Sequence, residues 1–318
     1  MTSNTPQTEY DSPWKQILQL YFQDFMLFFF PQAHAQIDWS RGFEFLDKEL
    51  AQVVRDAELG RRLADKLVKV YRTGGEESWI LAHIEVQSQE ETDFPRRMFV
   101  YNYRIFDRYN RSVASLAVLG DENTSWRPSH FGYELFGCKV DFQFPIIKLI
   151  DYKQRQSELE ANRNPFATVV MAHLAAVQTR SDRSQRKQQK LALVRRLYEQ
   201  GLGREDIINL FGFIDWVMTL PAQLEAEFWQ EYRDFEASKS MQYVTSVERN
   251  GIRQGLLKGI ALGLKLKFGS PGQDLLSEIE QIEDVSLLES ILEAIDTANT
   301  VDELRSFYES ANDTQQEN

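Results

Sequence analysis

The chain has 318 residues, of which 42% are hydrophobic and 12% aromatic, which suits about two globular domains of ~100–200 residues each and excludes a globally disordered protein. Its single cysteine, Cys138, excludes an intramolecular disulfide and a cysteine-built zinc site, and predicts a reducing, cytoplasmic setting. Neither a signal peptide nor a membrane span is expected, because the first residues are polar and the apolar run at 25–30 is far too short.

The net charge of −12 is concentrated at one end of the chain. Residues 274–318 contain 13 acidic residues and one basic residue, Arg305, so residues 1–273 contain 35 residues of each sign. The acidity therefore belongs to a terminal segment and argues little against a nucleic-acid partner. The neutral remainder still predicts modest nonspecific affinity, since phosphate contacts need local Lys and Arg side chains.

Two helices and then a set of strands are predicted in the first part of the chain. Residues 11–30 and 43–57 repeat apolar positions at helical spacing. Residues 63–71 and 77–87 alternate apolar and polar side chains on either side of a turn at 73–75, and this pattern predicts a β-hairpin.

The hairpin is followed by a predicted helix over 93–109 and a short buried strand over 112–120. This order of strand, helix and strand predicts a βαβ crossover, which is right-handed by default. Residues 131–144 predict further strands near the edge of the sheet.

From about residue 158 every segment has helical spacing. We therefore predict an α/β domain with a mixed sheet over 1–155 and an all-helical domain over 156–240. The remaining residues, 241–318, predict a tail with a Gly-rich helix followed by an acidic helical segment.

Four glycines, Gly251, Gly255, Gly259 and Gly263, recur at every fourth position of this tail. They would keep small residues on one stripe of a helix and allow another helix to approach closely, which predicts a homo-oligomer contact. Repeat drift in a loosely packed tail explains the same spacing, and both interpretations stay open. The lysines at 258, 265 and 267 argue against a membrane span.

Polar residues collect at the open end of the predicted hairpin. On the second strand His83, Glu85 and Gln87 share one side by alternation. Pairing across the turn would bring the start of the first strand, at Asp65, close to Glu85 and Gln87. Two carboxylates at one end of a sheet form a hard-oxygen site suited to Mg²⁺.

Such a cation would polarise a phosphoryl oxygen and lower the pKa of a bound water, as phosphodiester hydrolysis requires. A structural interpretation of the same residues also stays open. In that interpretation Asp65 and Glu85 form a strand-end carboxylate pair that is neutralised by Lys66 or Arg97.

The arrangement of Asp65, a hairpin, Glu85-x-Gln87, a helix and a strand resembles the PD-(D/E)xK nuclease fold, whose core is αβββαβ. Longer segments are similar to the Rpn family of recombination-promoting nucleases, a transposase-like group. These segments are IDWSRGFEFLDKEL, DAELGRRLADKLVKV, HIEVQSQ, RMFVYNYRIFDRYNR and FGYELFGCKVDFQFPIIKL, and the resemblance covers roughly residues 10–265.

The resemblance implies a metal-dependent endonuclease that cleaves DNA with Mg²⁺ or Mn²⁺. It implies that Asp65 and Glu85 are metal ligands and that the backbone carbonyl of Val86 is a third. It also implies that Gln87 occupies the position of the usual catalytic lysine. Asp11 is a candidate extra carboxylate.

The change from lysine to Gln87 removes a charge, because an amide can only hydrogen-bond. A cation from another element would then have to neutralise the phosphate. Lys66 and Lys69 on the first strand, and Arg97 and Arg104 on the following helix, are the candidates.

His83 either packs in the core or hydrogen-bonds to a site carboxylate or a phosphate. The predicted DNA contacts are Arg97, Arg104, Arg108 and Arg111, which follow the site closely in sequence. A second basic stretch, at 180–196, is either another phosphate-contacting face or a solvated helix face.

Two functions therefore stay open. One is cleavage of DNA, linked to recombination or transposition through the family resemblance. The other is a weak or inactive nuclease fold that serves as a DNA-binding or protein-interaction module, which the uncharged Gln87 and the neutral core favour.

Overall fold

The computed structural model describes residues 13–56, 65–85, 92–239, 243–282, 285–298, 300–306 and 308. Its contacts divide the chain into two compact units, Met1–Gln230 and Glu231–Asn318, whereas the boundaries predicted from sequence lie near 155 and 240. The first unit combines a mixed β-sheet with helices, and the described part of the second unit is helical. Among the described helices, none is long and apolar enough to cross a membrane.

The first predicted helix, over 11–30, is divided into two, and a further short helix follows it. α1 spans Pro13–Leu20, α2 spans Phe22–Phe29 and α3 spans Pro31–His34. At Tyr21 the backbone leaves the helical region, with φ −126° and ψ 39°. This break is accompanied by a hydrogen bond that the Tyr21 hydroxyl donates to Asp206 at 2.7 Å. A continuous helix over this region is therefore wrong.

The second predicted helix is preceded by a strand. β1 (Glu44–Phe45) pairs antiparallel with β2 (Asp65–Tyr71), and α4 (Asp47–Asp56) begins after it. The helical prediction is wrong at residues 44 and 45, because pairing with Lys69 and Val68 decides their backbone conformation.

The predicted hairpin and crossover are confirmed. β2 pairs antiparallel with β3 (Glu77–Glu85) across the turn at 73–75. α5 (Phe94–Tyr109) then leads to β4 (Val113–Leu119), which pairs parallel with β3. The α/β class and the mixed sheet therefore follow from the periodicity of the sequence.

The strands predicted over 131–144 form a sheet of their own. β5 (His130–Leu135) and β6 (Cys138–Gln143) pair with each other in a two-stranded sheet. The edge beside β4 is occupied instead by β7 (Ile146–Lys148), which the sequence did not predict because three residues are too few to show a period. The order of the main sheet in the described residues is β1-β2-β3-β4-β7.

The predicted helical region is confirmed, although it starts slightly earlier, and its residues up to Gln230 belong to the first unit. Its helices are α6 (Gln156–Ala161), α7 (Pro165–Gln178), α8 (Arg183–Glu199), α9 (Arg204–Val217) and α10 (Ala222–Ser238).

Both faces of the main sheet are buried. On one face the sheet, α4 and α5 share a hydrophobic cluster. Its buried members are Leu46, Leu50, Val53, Leu67, Trp79, Leu81, Tyr101 and Ile105. Val68 and Ile80, at the alternate positions, are equally buried on the other face. At these central positions the described strands are therefore closed to a ligand on both faces.

The second unit packs the Gly-rich helix against the acidic segment. α11 (Tyr243–Phe268), α12 (Ser270–Ile279) and α13 (Val285–Thr297) contribute side chains to one hydrophobic cluster. Its fully buried members include Ile260, Leu264, Leu275, Ile279, Leu288 and Ile291. The acidic segment is therefore part of a folded core.

The four regularly spaced glycines have two different environments. A Cβ at Gly259 or Gly263 would lie 3.6 Å or 3.3 Å from the side chains of Leu292 and Ile295 on α13. A Cβ at Gly251 or Gly255 would meet nothing within 4 Å. Half of the repeat therefore serves contact within this chain.

Gly272 tests how closely α12 approaches α11. A Cβ at this position would lie 2.7 Å from the carbonyl oxygen of Leu264, so the backbones would have to separate. We expect Gly272→Ala to lower the free energy of unfolding of the second unit by roughly 1–3 kcal/mol, as overpacking does. The measurement is urea denaturation followed by circular dichroism.

Gly212→Ala is the matched control for this prediction. It adds the same methyl group in α9 of the first unit, where nothing lies within 4 Å, and it should leave the free energy of unfolding of the second unit unchanged. Equal stability of the Gly272→Ala protein and the wild type would contradict the close packing of α12 on α11.

Candidate functional site

The start of β2 and the ends of β3 and β4 lie side by side at one end of the main sheet. In the antiparallel pair of β2 and β3, Asp65 lies opposite His83, so Glu85 lies two residues beyond that pair. In the parallel pair of β3 and β4, Glu85 lies opposite Leu119. By alternation, positions 65, 83 and 85 belong to the same face as Leu67, which lies in the cluster with α4 and α5.

The structure describes the predicted site in part. For Asp65 and Glu85, as for the neighbouring position 83, it describes the backbone. Asp11, Val86 and Gln87 lie outside the described residues. The structure places the backbones of Asp65 and Glu85, the two predicted carboxylate residues, at the same end of the sheet.

The first turns of α5 lie over this end of the sheet. Phe94 and Met98 pack in one cluster with Ala117 and Leu119, the β4 residues opposite positions 83 and 85. Arg97 lies between them in the same turns, is 5% exposed, and has its guanidinium carbon 5.3 Å from the centre of the Phe94 ring. Because arginine carries a permanent charge, α5 brings a positive charge to this end of the sheet.

The lysines of β2 are engaged elsewhere. Lys66 is buried and donates hydrogen bonds to Asp47 at 2.8 Å and Gln19 at 3.3 Å. It follows Asp65 directly and therefore belongs to the opposite face of the strand. Lys69 forms an ion pair with Glu44, which raises the pKa of the lysine. Both lysines therefore stabilise the packing of β1 and α4.

The predicted DNA-contacting arginines are spread along α5. Arg104 and Arg108 lie progressively farther from Arg97, with Arg108 about 16 Å away along the helix axis. Arg111 donates a hydrogen bond to Glu77 at 3.0 Å, at the opposite end of β3. That end is about 26 Å from Glu85 for a strand of this length, so Arg111 is remote from the site.

Several basic side chains of the stretch at 180–196 form hydrogen bonds or ion pairs within the first unit. Lys190 is fully buried, lies 2.7 Å from Asp215, and sits 4.4 Å from the centre of the Phe228 ring. Arg186 donates hydrogen bonds to Thr179 and to the carbonyls of Ala176 and Thr219, and Arg196 donates to Thr168 and three carbonyls. These cations hold helices together, which neither interpretation from the sequence anticipated.

A buried ion pair stabilises the loop that follows β4. Lys148 lies opposite Leu119, and so in the same row of the sheet as Glu85. Its Nζ is fully buried and lies 2.5 Å and 2.7 Å from the two carboxylate oxygens of Asp121. It also donates to the carbonyls of Asn123 and Trp126. Sequence reasoning missed this pair, because no spacing rule links residues 121 and 148.

His173 supports the same loop from α7. Its Nε2 lies 2.9 Å from the carbonyl oxygen of Gly120. Burial lowers the pKa of His173 below its usual range, so the neutral ring is favoured and can donate its single N–H to that carbonyl. The segment that follows β4 is thus fixed by two side chains: Lys148 binds Asp121, and His173 bonds to the carbonyl of Gly120.

Within the described residues no group of three or more His, Cys, Asp or Glu side chains could hold a metal ion. The predicted ligands are among the residues whose side chains are not described. Comparisons with known proteins found no matching family model, no matching curated protein and no matching solved structure.

Lys148→Met tests the buried pair. It would leave the Asp121 carboxylate buried without its charge partner, and we expect a loss of roughly 3–5 kcal/mol in the free energy of unfolding. Adding Asp121→Asn should recover part of that loss, because the remaining amide is neutral. The measurement is chemical denaturation of the two single variants and the double variant.

Lys139→Met, at an exposed lysine of β6, is the control and should change stability by less than about 1 kcal/mol. If the single and double variants were equally destabilised, the energetic coupling between Lys148 and Asp121 would be absent.

Proposed function

We propose that this chain is a metal-dependent endonuclease that hydrolyses DNA phosphodiester bonds where β2 begins and β3 ends. The supporting observation is the pairing of Asp65 with His83, which makes Glu85 the diagonal neighbour of Asp65 at about 7–8 Å. Two carboxylates at that spacing can contribute oxygens to one hard cation. The resemblance to the Rpn family adds a link to recombination or transposition.

Mg²⁺ or Mn²⁺ fits this donor set, since hard cations prefer carboxylate and carbonyl oxygens. Asp65 and Glu85 would hold the cation with their carboxylates, and Val86 with its backbone carbonyl. When bound, the cation supplies a polarised phosphoryl oxygen and a water of lowered pKa.

Arg97 is the best candidate for the cation that Gln87 cannot supply. It is buried in the first turns of α5, beside the β4 residues that pair with β3 at this end of the sheet. There it would stabilise negative charge that develops on the phosphate. Gln87 would orient water by hydrogen bonding, and His83 would hydrogen-bond to a carboxylate or to the phosphate.

Arg104 and Arg108 extend from Arg97 along α5 and would contact the DNA backbone on one side of the scissile bond. Arg111 is the weakest of the predicted DNA contacts, because it is bonded to Glu77 at the far end of β3.

The second candidate is a catalytically weak or inactive nuclease fold that serves as a DNA-binding or protein-interaction module. It is favoured by the internal engagement of the basic side chains Lys66, Arg186, Lys190 and Arg196. Side chains that are engaged inside the fold contribute little to phosphate binding.

Cleavage of plasmid DNA in Mg²⁺ or EDTA separates the two candidates. Asp65→Ala and Glu85→Ala should each lower the cleavage rate by about 100-fold or more, because each removes a metal ligand. The double variant should lose little more, since the two residues act as one unit. Arg97→Gln should lower the rate while Arg97→Lys should retain part of it.

Glu44→Ala is the matched control, because it removes a carboxylate from β1 that pairs with Lys69. It should cleave at the wild-type rate. Metal-dependent cleavage that survives Asp65→Ala would exclude the proposed site, and a folded wild type without cleavage would favour the binding module.

We also propose self-association through α11. Gly251, Gly255, Leu262 and Leu266 share one stripe of the helix by their spacing, and both leucines are more than half exposed. Sedimentation equilibrium should detect a dimer that the double change Leu262→Ser and Leu266→Ser dissociates. Leu20→Ser, at an equally exposed leucine of α1, should leave it intact. A wild type that is monomeric at every concentration would contradict this proposal.

A further inference from the structure

The hairpin of β5 and β6 has one apolar and one polar side. Phe131, Tyr133 and Leu135 lie at alternate positions of β5, opposite Phe142, Val140 and Cys138 of β6. The apolar side is partly buried at the base of the hairpin. It becomes exposed toward the tip, where Tyr133 and Leu135 are more than half exposed.

The base of the hairpin joins this apolar side to the outer face of α5. Phe99 stacks on Phe131 with ring centroids 5.1 Å apart, and also on Tyr103 of its own helix at 6.3 Å. Tyr103 and Phe106 are each at least half exposed. We term the exposed apolar side chains of α5 and of this hairpin, Tyr103, Phe106, Tyr133, Leu135 and Phe136, the aromatic surface.

The turn at the tip of the hairpin contains a residue type that is unusual for its backbone conformation. Two residues, Phe136 and Gly137, connect the last pair of the hairpin, and both have positive φ, 51° and 81°. Such a turn favours Asn-Gly or Gly-Gly, since a side chain with a large Cβ substituent is strained there. Phe136 is nonetheless phenylalanine, and its side chain is 100% exposed. A fully exposed aromatic ring makes no packing contacts that could offset this strain. We therefore attribute the phenylalanine at this position to contact with a ligand.

The charge around the aromatic surface favours a polyanion. α5 carries three arginines that are exposed or partly exposed, Arg96, Arg104 and Arg108, and one acid, Asp107, a net charge of +2. Arg97 is buried, and Arg96 also pairs with Asp93 just before the helix. Exposed aromatic rings interleaved with arginines are the arrangement with which proteins bind unpaired nucleic-acid bases, the rings stacking on bases and the arginines contacting phosphates.

We propose that the aromatic surface binds unpaired bases of a nucleic-acid strand, with Phe136 at the hairpin tip stacking on a base. This inference rests on the proposed function, because it assigns a substrate form to that site: DNA with single-stranded or distorted segments. Tyr103 lies about 9 Å along α5 from Arg97, so a strand on this surface passes close to the site.

Phe136→Asn tests the proposal without harming the fold. Asparagine tolerates positive φ, so the variant should be as stable as the wild type or more stable. Binding is measured by fluorescence anisotropy, in EDTA, with a labelled single-stranded oligonucleotide and with its duplex. We expect the wild type to prefer the single strand, and Phe136→Asn to lose at least about fivefold in affinity for it while duplex binding is unchanged. Phe136→Trp should retain affinity.

Trp216→Asn is the matched control, since Trp216 is a half-exposed aromatic on α9, and it should bind like the wild type. Equal affinity of Phe136→Asn and the wild type for the single strand would overturn the proposal. So would a wild type without preference for the single strand.

Two other occupants of the surface give separate results. Cys138, the single cysteine, is exposed beside the tip, so oxidative cross-linking that Phe136→Asn abolishes would assign the surface to a second copy. Binding to phosphatidylserine-containing vesicles that depends on Phe136 would assign it to a membrane. Because every measurement is made without metal, its outcome is independent of whether Asp65 and Glu85 catalyse cleavage.

Discussion

The parallel pairing of β3 with β4 is the constraint on which the rest of the first unit depends. It sets Glu85 opposite Leu119, and the parallel pairing of β4 with β7 continues this row to Lys148. It also requires α5 to cross from the end of β3 back to the start of β4, which carries Phe94 and Met98 over the last residues of β4. One register therefore positions the candidate carboxylates, a buried arginine and the loop held by Lys148.

Most of the lysines and arginines that the sequence suggested as phosphate ligands have structural partners. Lys66 and Lys190 are buried against carboxylates, and Arg196 is bonded to helix-end carbonyls. Removing one partner of such a pair is costly, because a buried charge is left uncompensated. Of the predicted DNA contacts, Arg97, Arg104 and Arg108 lie on α5, the helix that also carries the exposed Tyr103 and Phe106.

The sequence by itself predicted the elements whose periodicity is long. The alternation over 63–71 and 77–87 was sufficient for β2 and β3, and the helical spacing over 93–109 was sufficient for α5. From these, the nearness of Asp65 and Glu85 followed, because an antiparallel hairpin always brings the start of one strand beside the end of the other.

Tertiary structure decided what short or distant residues do. The strand at 44–45 and the edge strand at 146–148 have too few residues to show a period, and their backbone is set by the partner strand. The pair of Lys148 with Asp121 and the burial of Arg97 depend on contacts across the fold, which no local pattern encodes. At Phe136 the sequence gives no sign of an unusual residue. The turn disfavours phenylalanine there because its φ is positive, and this φ is known only from the structure.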